Sequence, residues 1–599
     1  MKFTGIYEEL KNALSSIDSQ GLWVDLNDNQ KQFRHNNGGI INWYPSTGTI
    51  NFQGKDASIL EKEIDGLLQG TLIINRPISI PKSQESVSLI ENIAQQTIAS
   101  LSFSTLSTEK NDLLDYKYAD SELIIGLVAA VGTDLENLKR VISERLPAFG
   151  YQCTDIRVSS DIIKKYGNVR KTENNFDRIS AYMEEGNNLR EKAGDNSILA
   201  LGVAAAINEK RQKPNNVPRP IKKMAFIINS IKHPDEVHRL RQIYSNGFFL
   251  IGVHADEKRR HDYLTNNLGI ENNQASSLIS RDADESKKNG QHTRDTFHLS
   301  DFFVHYDGNA DKFQNDVWRL LDLIFGKPFI TPTFDEFAMF MAFSASLRSA
   351  DLSRQVGAVI AQDNNIVSTG ANDVPKSGGG LYWSEYNNDG TEIIDVEDGR
   401  DYKRGEDSNA IEKQKIIDAI SQCIPDGISE ELKGQFMDNL RGSRIKDITE
   451  YGRVVHAEME SILACARNNI STVKAHLYCT TFPCHNCAKH IISAGISRVV
   501  YVEPYAKSKA LEFHSDSISI DKTQKNNVIF EPFVGVGPRA FFNLFSMNLG
   551  SGYALNRKTS EGAAIEWKQT NGRLRMQMLP CSYLEREEQA ANLLKDQLK

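Results

Sequence analysis

Apolar and polar residues are arranged in three different ways along the chain, and the arrangement predicts three structural parts. Residues 33–55 alternate apolar and polar positions on both sides of a Pro-Ser-Thr-Gly turn, which is typical of a β-hairpin. Further along, uninterrupted apolar runs are separated by amphipathic helical segments, a rhythm typical of buried parallel strands in an α/β domain. These runs are 121–132, 223–229 and 247–255.

The last part of the chain predicts a different order of elements. Residues 334–350 have the pattern of a helix, and residues 356–372 have that of a second hairpin with an Asp-Asn-Asn turn. Two more helices alternate with two strands after residue 455, giving the order α-β-β-α-β-α-β. A long polar insertion separates Asn372 from His456, and we interpret it as a lid or an oligomer contact.

These patterns together predict an α/β protein with three domains. Residues 1–115 are expected to form a small α+β module, residues 116–330 an α/β domain, and residues 331–599 a three-layer α/β/α domain. A chain of 599 residues is long enough for several separate hydrophobic cores.

Composition narrows the class of protein. No apolar run reaches the roughly 18 residues that a membrane helix needs, and the start of the chain lacks an apolar signal segment. The 7 cysteines are too few for a disulfide framework, so we expect a cytoplasmic protein with no membrane partner. The formal net charge of −8 argues against binding along a nucleic acid, because phosphate-tracking proteins carry a basic excess.

Two short segments of the third domain carry metal-binding chemistry. HAE (456–458) and PCHNC (483–487) together offer one imidazole and two thiolates, three of the four ligands of a tetrahedral zinc ion. Each segment is predicted to open a helix, whose N-terminus favours the thiolate form of Cys484 and Cys487. A structural zinc site is the alternative, but it would need a fourth Cys or His and would leave Glu458 without a role.

This pair of segments resembles the H-x-E…P-C-x-x-C signature of the zinc deaminases. The resemblance implies the cytidine deaminase fold for the third domain and one catalytic Zn²⁺ per chain, held by His456, Cys484 and Cys487. It also implies that Glu458 moves protons between water, base and leaving amine. We expect a backbone N–H near Ala457 to fix the carbonyl of the base.

Other segments of the third domain indicate the substrate. NDVP (372–375), residues 346–360 and residues 478–505 resemble deoxycytidylate deaminases, in which the Asn corresponding to Asn372 holds the sugar hydroxyl. The resemblance implies free deoxycytidine nucleotides as substrates, and their phosphates need Lys or Arg side chains. The candidates that flank the expected pocket are Arg348, Arg354, Lys507 and Lys509.

Residues 126–134 lie where a phosphate-binding loop would follow the first strand of the second domain. The domain resembles nucleoside-monophosphate kinases, yet Thr133 and Asp134 stand where G-x-x-x-x-G-K-[ST] has Lys and Ser/Thr. A loop without that lysine lacks the main charge that meets the γ-phosphate. We therefore expect a P-loop kinase-like domain that binds a regulatory nucleotide at Gly126, Gly132 and Thr133 or is purely structural, and phosphoryl transfer is the least favoured of the three alternatives.

The whole arrangement resembles the bacterial anti-phage dCTP deaminases over roughly residues 120–550. The resemblance implies hydrolysis of dCTP, and also of dCMP, to the uracil nucleotide and ammonia, which would deprive viral DNA synthesis of dCTP. Deoxycytidylate deaminases commonly assemble, so we expect a homo-oligomer, and some members of the anti-phage family are silenced by an inhibitory RNA partner. The preference between the mono- and the triphosphate stays open.

Two rival hypotheses follow from the same residues. The first is a cytosine deaminase acting on single-stranded DNA or RNA held by the N-terminal module, whose residues 39–55 resemble part of the TATA-binding-protein-like domains. The second is a ligand or RNA sensor whose zinc is structural. The acidic charge and the sugar contact expected of Asn372 disfavour the first hypothesis, and Glu458 disfavours the second.

Overall fold

The computed structural model forms two compact units, Met1–Leu106 and Ser107–Lys599. Among the residues that it describes, no helix combines the length and the apolar character needed to cross a membrane. The described residues are 10, 21–27, 30–35, 38–45, 47–54, 57 and 121–597, the last range without 212–219, 284, 286–288, 426, 444, 446–447, 449, 506–507, 525, 551–554, 577 and 579.

The first unit contains a four-stranded antiparallel sheet in which each strand pairs with the next along the chain. Alternate apolar side chains, among them Phe33, Ile41 and Trp43, are buried on one face, as the period of two requires. The hairpin predicted over residues 33–55 is confirmed by the pairing of the last two strands. The strands are β1 (Gly21–Asn27), β2 (Gln30–His35), β3 (Gly39–Tyr44) and β4 (Thr49–Gly54).

The second unit begins with a six-stranded sheet whose order is β18-β9-β8-β5-β7-β6, with β5 to β9 parallel. The predicted apolar runs form its central strands, and all seven residues of β5 are buried, because helices cover both faces. The strands are β5 (Leu123–Ala129), β6 (Gln152–Arg157), β7 (Met224–Asn229), β8 (Phe248–His254), β9 (Phe302–His305) and, from the C-terminal region, β18 (Gly535–Val536).

Helices cover this first α/β sheet on both faces and extend its rim. One face holds a core around Ile125 and Leu127, and the other holds a core around Ile124 and Val128. The helices are Leu135–Arg145, Asn175–Ala193, Ile198–Lys210, Pro234–Tyr244, Glu257–Asp262, Asn272–Ala283, Thr293–Phe297 and Ala310–Ile324.

A second six-stranded sheet follows, in the order β11-β10-β14-β15-β17-β16. The first three of these strands are antiparallel, and β14, β15, β17 and β16 run parallel. The strands are β10 (Gly357–Gln362), β11 (Asn365–Ala371), β14 (His476–Thr481), β15 (Arg498–Glu503), β16 (Ile518–Ser519) and β17 (Val528–Pro532). The main helices beside them are Phe334–Ser346, Ala457–Arg467 and His485–Ser493, which confirms the predicted order α-β-β-α-β-α-β.

The polar insertion between β11 and the helix Ala457–Arg467 is not a structureless loop. It folds into a small two-stranded sheet and several helices. These elements are β12 (Glu385–Tyr386), β13 (Ile393–Ile394) and the helices Asp401–Arg404, Ser408–Gln422 and Glu430–Gly442.

The end of the chain returns to the first α/β sheet. Strand β18 pairs with β9, and the C-terminal helix Pro580–Gln597 packs on the helix Ile198–Lys210. Buried Arg211 joins the two regions by donating to Glu122 at 2.8 Å and to Glu587 at 3.0 Å. Residues 331–599 were predicted as one continuous domain, but their last part lies on the sheet of the preceding domain. A strand as short as β18 carries no periodic pattern that could have indicated this.

Candidate active site

The first turns of two helices bring the sequence-predicted metal ligands together. His456 precedes the helix Ala457–Arg467, and Cys484 is the N-cap of the helix His485–Ser493. His456 Nδ1 lies 3.3 Å from Cys484 Sγ and 3.4 Å from Cys487 Sγ. Ligand atoms of a tetrahedral zinc ion with bonds of about 2.0–2.3 Å lie roughly 3.6 Å from one another. One nitrogen and two sulfur donors at these distances therefore fit Zn²⁺.

Electrostatics at this cluster favour the charged forms of Cys484 and His456, whereas the hydrogen bond with Cys484 raises the pKa of the Cys487 thiol, contrary to the thiolate expected there without a metal. Hydrogen bonds from Cys487 and His456 lower the pKa of the Cys484 thiol to about 3. The Cys484 sulfur also accepts from the backbone N–H of Cys487 at 3.4 Å, as an anion at a helix N-terminus does. The bond to Cys484 in turn raises the pKa of His456 to about 9. A metal ion would replace the proton that His456 and the thiols share.

Glu458 occupies the first turn of the helix that His456 precedes. Its side chain is 4% exposed, and burial raises the pKa of the carboxyl group despite the neighbouring charge of His456. A carboxyl group with a raised pKa gives up and takes back protons nearer to neutral pH than an exposed glutamate does. Glu458 therefore has the environment of an acid–base group.

Glu458, His456 and Cys484 line a cavity of about 460 Å³, together with Ala457. This volume lies within the roughly 300–1,000 Å³ that is usual for small-molecule sites. Ala457 is the first residue of its helix, where backbone N–H groups have no partner within the helix. The cavity therefore combines a metal-ligand cluster, a buried carboxyl group and helix N–H groups.

Asn372 lines the same cavity and fixes the backbone around it. Its Oδ1 accepts from the N–H of Val356 at 2.6 Å, and its Nδ2 donates to the carbonyl oxygen of Arg354 at 2.8 Å. An amide has two donor hydrogens and two acceptor lone pairs, so one of each is left for a ligand.

The predicted phosphate contacts fall in different places. Within the part of the chain that the structure describes, Arg354 lines the cavity, whereas Arg348 and Lys509 do not. Arg354 lies over the ring of Tyr505 and 3.3 Å from Glu503. Arg348 instead stacks 3.6 Å from the Trp383 ring centroid, and Lys509 pairs with Glu512 at 2.5 Å. Lys507 lies outside the described residues.

The insertion supplies part of the cavity wall that the sequence analysis did not identify. Asp401, Asp407, Asn409 and Lys413 all come from its helices or the turn between them. The only signal in the sequence was the length of the insertion, since long connections inside a compact domain are usually functional. No spacing relates these residues to the metal-binding segments.

The segment 126–134 does not form a phosphate-binding loop. Gly126, predicted as a loop residue, lies inside strand β5, where an added Cβ would come 2.7 Å from Ile231 and 2.8 Å from Phe248. Gly132 has a φ of 86°, and a Cβ there would lie 2.5 Å from the carbonyl oxygen of Arg260. Both glycines are therefore explained by packing and backbone geometry.

Asp134 fills the end of the helix that a phosphate would need. Its Oδ1 accepts from the N–H groups of Glu136 and Asn137 at 3.2 and 3.3 Å. These are the groups that bind anions at helix N-termini. Thr133 Oγ1 is buried and, among the described residues, has no hydrogen-bond partner.

Comparisons with known proteins concern the region around the metal-ligand cluster. The family described as the cytidine and deoxycytidylate deaminase zinc-binding region matches residues 332–503. The deoxycytidylate deaminase of Enterobacteria phage T2 is 31% identical over 169 residues, which cover 28% of this chain and 79% of the phage protein. That of phage T4 is 30% identical over 170 residues, covering 28% of this chain and 77% of the phage protein.

Solved structures show weaker overall likeness. The dCMP deaminase of cyanophage S-TIM5, in complex with dCMP and dUMP, has 18% sequence identity to this chain and a TM-score of 0.20. The match covers 34% of this chain and 99% of the cyanophage chain.

Proposed function

The chain belongs to the family of cytidine and deoxycytidylate deaminases, which are zinc-dependent hydrolytic enzymes acting on nucleotides, and we propose that its substrates are free dCTP and dCMP. The products would be the corresponding uracil deoxynucleotide and ammonia. The observation that carries the proposal is the cavity where His456, Cys484, Glu458 and Asn372 come together.

The metal-ligand cluster determines which reaction the residues of the cavity can carry out. His456, Cys484 and Cys487 would hold Zn²⁺, which when bound lowers the pKa of a water molecule and so supplies the nucleophile. Glu458 would take one proton from the attacking water and pass it to N3 of the base, which would make C4 electrophilic. Glu458 would then take the second proton from the oxygen now attached to C4 and deliver it to the amine, so that ammonia leaves and the C4 carbonyl forms. Its raised pKa suits a group that must both accept and donate protons.

The remaining cavity residues suit a nucleotide more than a bare base. The amide of Asn372 retains a donor and an acceptor for a sugar hydroxyl while its other atoms hold the backbone. The N–H groups at the start of the Ala457–Arg467 helix suit the carbonyl oxygen of the base. Arg354 and Lys413 provide two cationic side chains in the cavity wall for phosphate oxygens.

The biological part of the proposal is depletion of dCTP in defence against phage. It rests on the resemblance of the α/β domain and the deaminase domain together to the anti-phage enzymes. An inhibitory RNA partner and a homo-oligomer stay predictions from the same resemblance. The proposal does not include a regulatory nucleotide at Gly126, Gly132 and Thr133, because Asp134 occupies the helix end that its phosphate would need.

A product assay with five substrates tests the proposed function. Purified, zinc-loaded protein is incubated with dCTP, dCMP, CTP, deoxycytidine and a cytosine-containing oligonucleotide, and the products are separated by chromatography. Formation of dUTP and dUMP with the oligonucleotide unchanged is the expected result. Deamination of the oligonucleotide with the free nucleotides unchanged would overturn it and favour the nucleic-acid deaminase.

A further inference from the structure

A second group of metal-type ligands lies at the carboxyl edge of the first α/β sheet. His254 and His305 end the neighbouring parallel strands β8 and β9 and stand directly opposite each other in the strand register. Asp256 follows β8 by two residues. The ligand atoms of these three side chains all lie within 4.8 Å of one another. Carboxyl edges of parallel sheets are where α/β proteins commonly bind ligands.

Two of the four imidazole nitrogen atoms of this cluster lack a hydrogen-bond partner among the described residues. In the described part of the chain, His254 Nδ1 and His305 Nε2 are buried and have no hydrogen-bond partner. Most buried polar atoms in proteins have one, so two orphaned nitrogens in neighbouring rings need an explanation. His305 Nε2 lies 3.6 Å from Asp256 Oδ1, too far for a good hydrogen bond. It is, however, close to the roughly 3.4 Å that separates two ligands of one tetrahedral metal ion.

The cluster can be reached from solvent on one side. Asp256 has a half-exposed side chain, which leaves the cluster accessible from solvent. The cluster is therefore not fully enclosed.

We propose that His254, Asp256 and His305 bind a divalent transition-metal ion at a site separate from the catalytic zinc. Two imidazoles and one carboxylate are donors that Zn²⁺, Fe²⁺, Mn²⁺ and Co²⁺ accept, and three protein ligands leave further coordination positions open. The site differs from the His456 cluster in having no thiolate.

The surroundings indicate what could complete the coordination. His254 lines a cavity of about 520 Å³ that extends from the first α/β sheet to Tyr501 and Pro532 of the second sheet. Arg260 and Arg294 line the same cavity. A small anionic ligand, such as phosphate or a carboxylate, could therefore meet both a metal ion and two guanidinium groups there.

Metal content of the full-length, untagged protein tests the proposal. After loading with Zn²⁺ and removal of excess metal, we expect about two equivalents per chain in the unaltered protein by mass spectrometry of the metal. The double variant His254→Ala/His305→Ala should lose about one of them and keep its deaminase activity. His261→Ala is the matched control, since His261 lies in the same region but bonds to the Asn272 carbonyl oxygen at 3.2 Å.

Substitution with Co²⁺ separates the two sites by spectroscopy. Thiolate ligands give a strong sulfur-to-metal charge-transfer band, which the catalytic site should show and the second site should not. Cys487→Ser should weaken this band while the weaker bands of the nitrogen–oxygen site persist. The milder variant Asp256→Asn replaces the double variant if the latter does not fold, and it should weaken Co²⁺ binding at the second site about tenfold or more.

Two results would overturn the proposal. One is a single equivalent of metal in the unaltered protein that disappears in Cys487→Ser. The other is full metal content and unchanged Co²⁺ bands in both His254→Ala/His305→Ala and Asp256→Asn. Either result would make the cluster a packing feature of the sheet edge.

Discussion

Two helices of this protein begin directly after central strands of the two six-stranded sheets, and their N-termini differ in whether they belong to a ligand site. Cys484 caps the helix after β14 and accepts from the N–H of Cys487 at 3.4 Å. Asp134 caps the helix after β5 and accepts from two N–H groups at 3.2 and 3.3 Å. The backbone device is the same, since both caps place an anionic side chain at the positive end of a helix. Only the first belongs to a site that can take a ligand.

The difference lies in what the surrounding side chains do. At Cys484, a second thiolate and an imidazole converge beside an open cavity. Near Asp134, the polar groups of the loop after β5 are bonded within the protein. Asp282 accepts from the N–H of Val131 at 2.8 Å and from Lys232 Nζ at 2.7 Å. A helix N-terminus after a parallel strand can therefore contribute to a ligand site, but the neighbouring side chains determine whether such a site forms.

Among the substitutions that test this comparison, removal of the acid–base group Glu458 should have the largest effect on the deamination rate. Glu458→Gln keeps the shape of the side chain but cannot carry a proton, so we expect the deamination rate to fall by about 10²–10⁴-fold or more. Zinc content should stay unchanged, because Glu458 is not one of the predicted ligands. Glu512→Gln, on an exposed residue paired with Lys509, is the control. Full activity in Glu458→Gln would contradict the mechanism.

Asn372 should matter for both stability and catalysis. Asn372→Ala leaves the buried N–H of Val356 without a partner, which should cost about 1–3 kcal/mol in the free energy of unfolding. Asn372→Asp can still accept from Val356 but cannot donate to the carbonyl oxygen of Arg354. We expect the aspartate variant to be impaired as well, as measured by denaturant unfolding and by kcat/KM. Equal stability of all three proteins would show that these bonds contribute little.

Arg354 tests whether the cavity wall meets a phosphate. Arg354→Ala should raise KM for dCMP or dCTP, and because the side chain is partly exposed we expect about a tenfold effect. KM for deoxycytidine, which has no phosphate, should change much less. Arg348→Ala is the matched comparison, since that guanidinium lies against Trp383 and does not line the cavity. Equal effects of Arg354→Ala on nucleoside and nucleotide would exclude a phosphate contact.

The metal-ligand cluster was predictable because its residues lie in two short motifs. Residues that come together only through long-range contacts were not predictable. Each ligand lies at the start of a predicted helix, so the segments HAE and PCHNC carried most of the information. Lys413 reaches the cavity through the fold of an insertion whose sequence has no relation to the motifs. His254 and His305 become neighbours only because β8 pairs with β9, and sequence periodicity does not specify which strands pair.

The segment 126–134 also shows that local sequence patterns do not specify long-range contacts, here at a site that the sequence suggested. Its position after a buried strand was predictable, and Thr133 and Asp134 already departed from the Lys and Ser/Thr of a phosphate-binding loop. The sequence did not show that Gly126 lies within the strand, because the apolar run continues past it without a change of pattern. It also did not show that Asp282, far along the chain, closes the loop.

Substitution of Asp134 should have the smallest effect, and it tests the helix N-terminus that is not part of the metal site. Asp134→Ala removes an N-cap and should lower the free energy of unfolding by about 1 kcal/mol, whereas Asp134→Ser keeps a capping oxygen and should cost less. Neither variant should change the deamination rate, because the residue caps a helix of the first α/β sheet and does not line the cavity of Glu458. Denaturant unfolding and the nucleotide assay measure the two effects. If Asp134→Ser gains affinity for inorganic phosphate, the carboxylate is what closes this helix end to anions; if it does not, the bonds of Asp282 and Lys232 close it without help from Asp134.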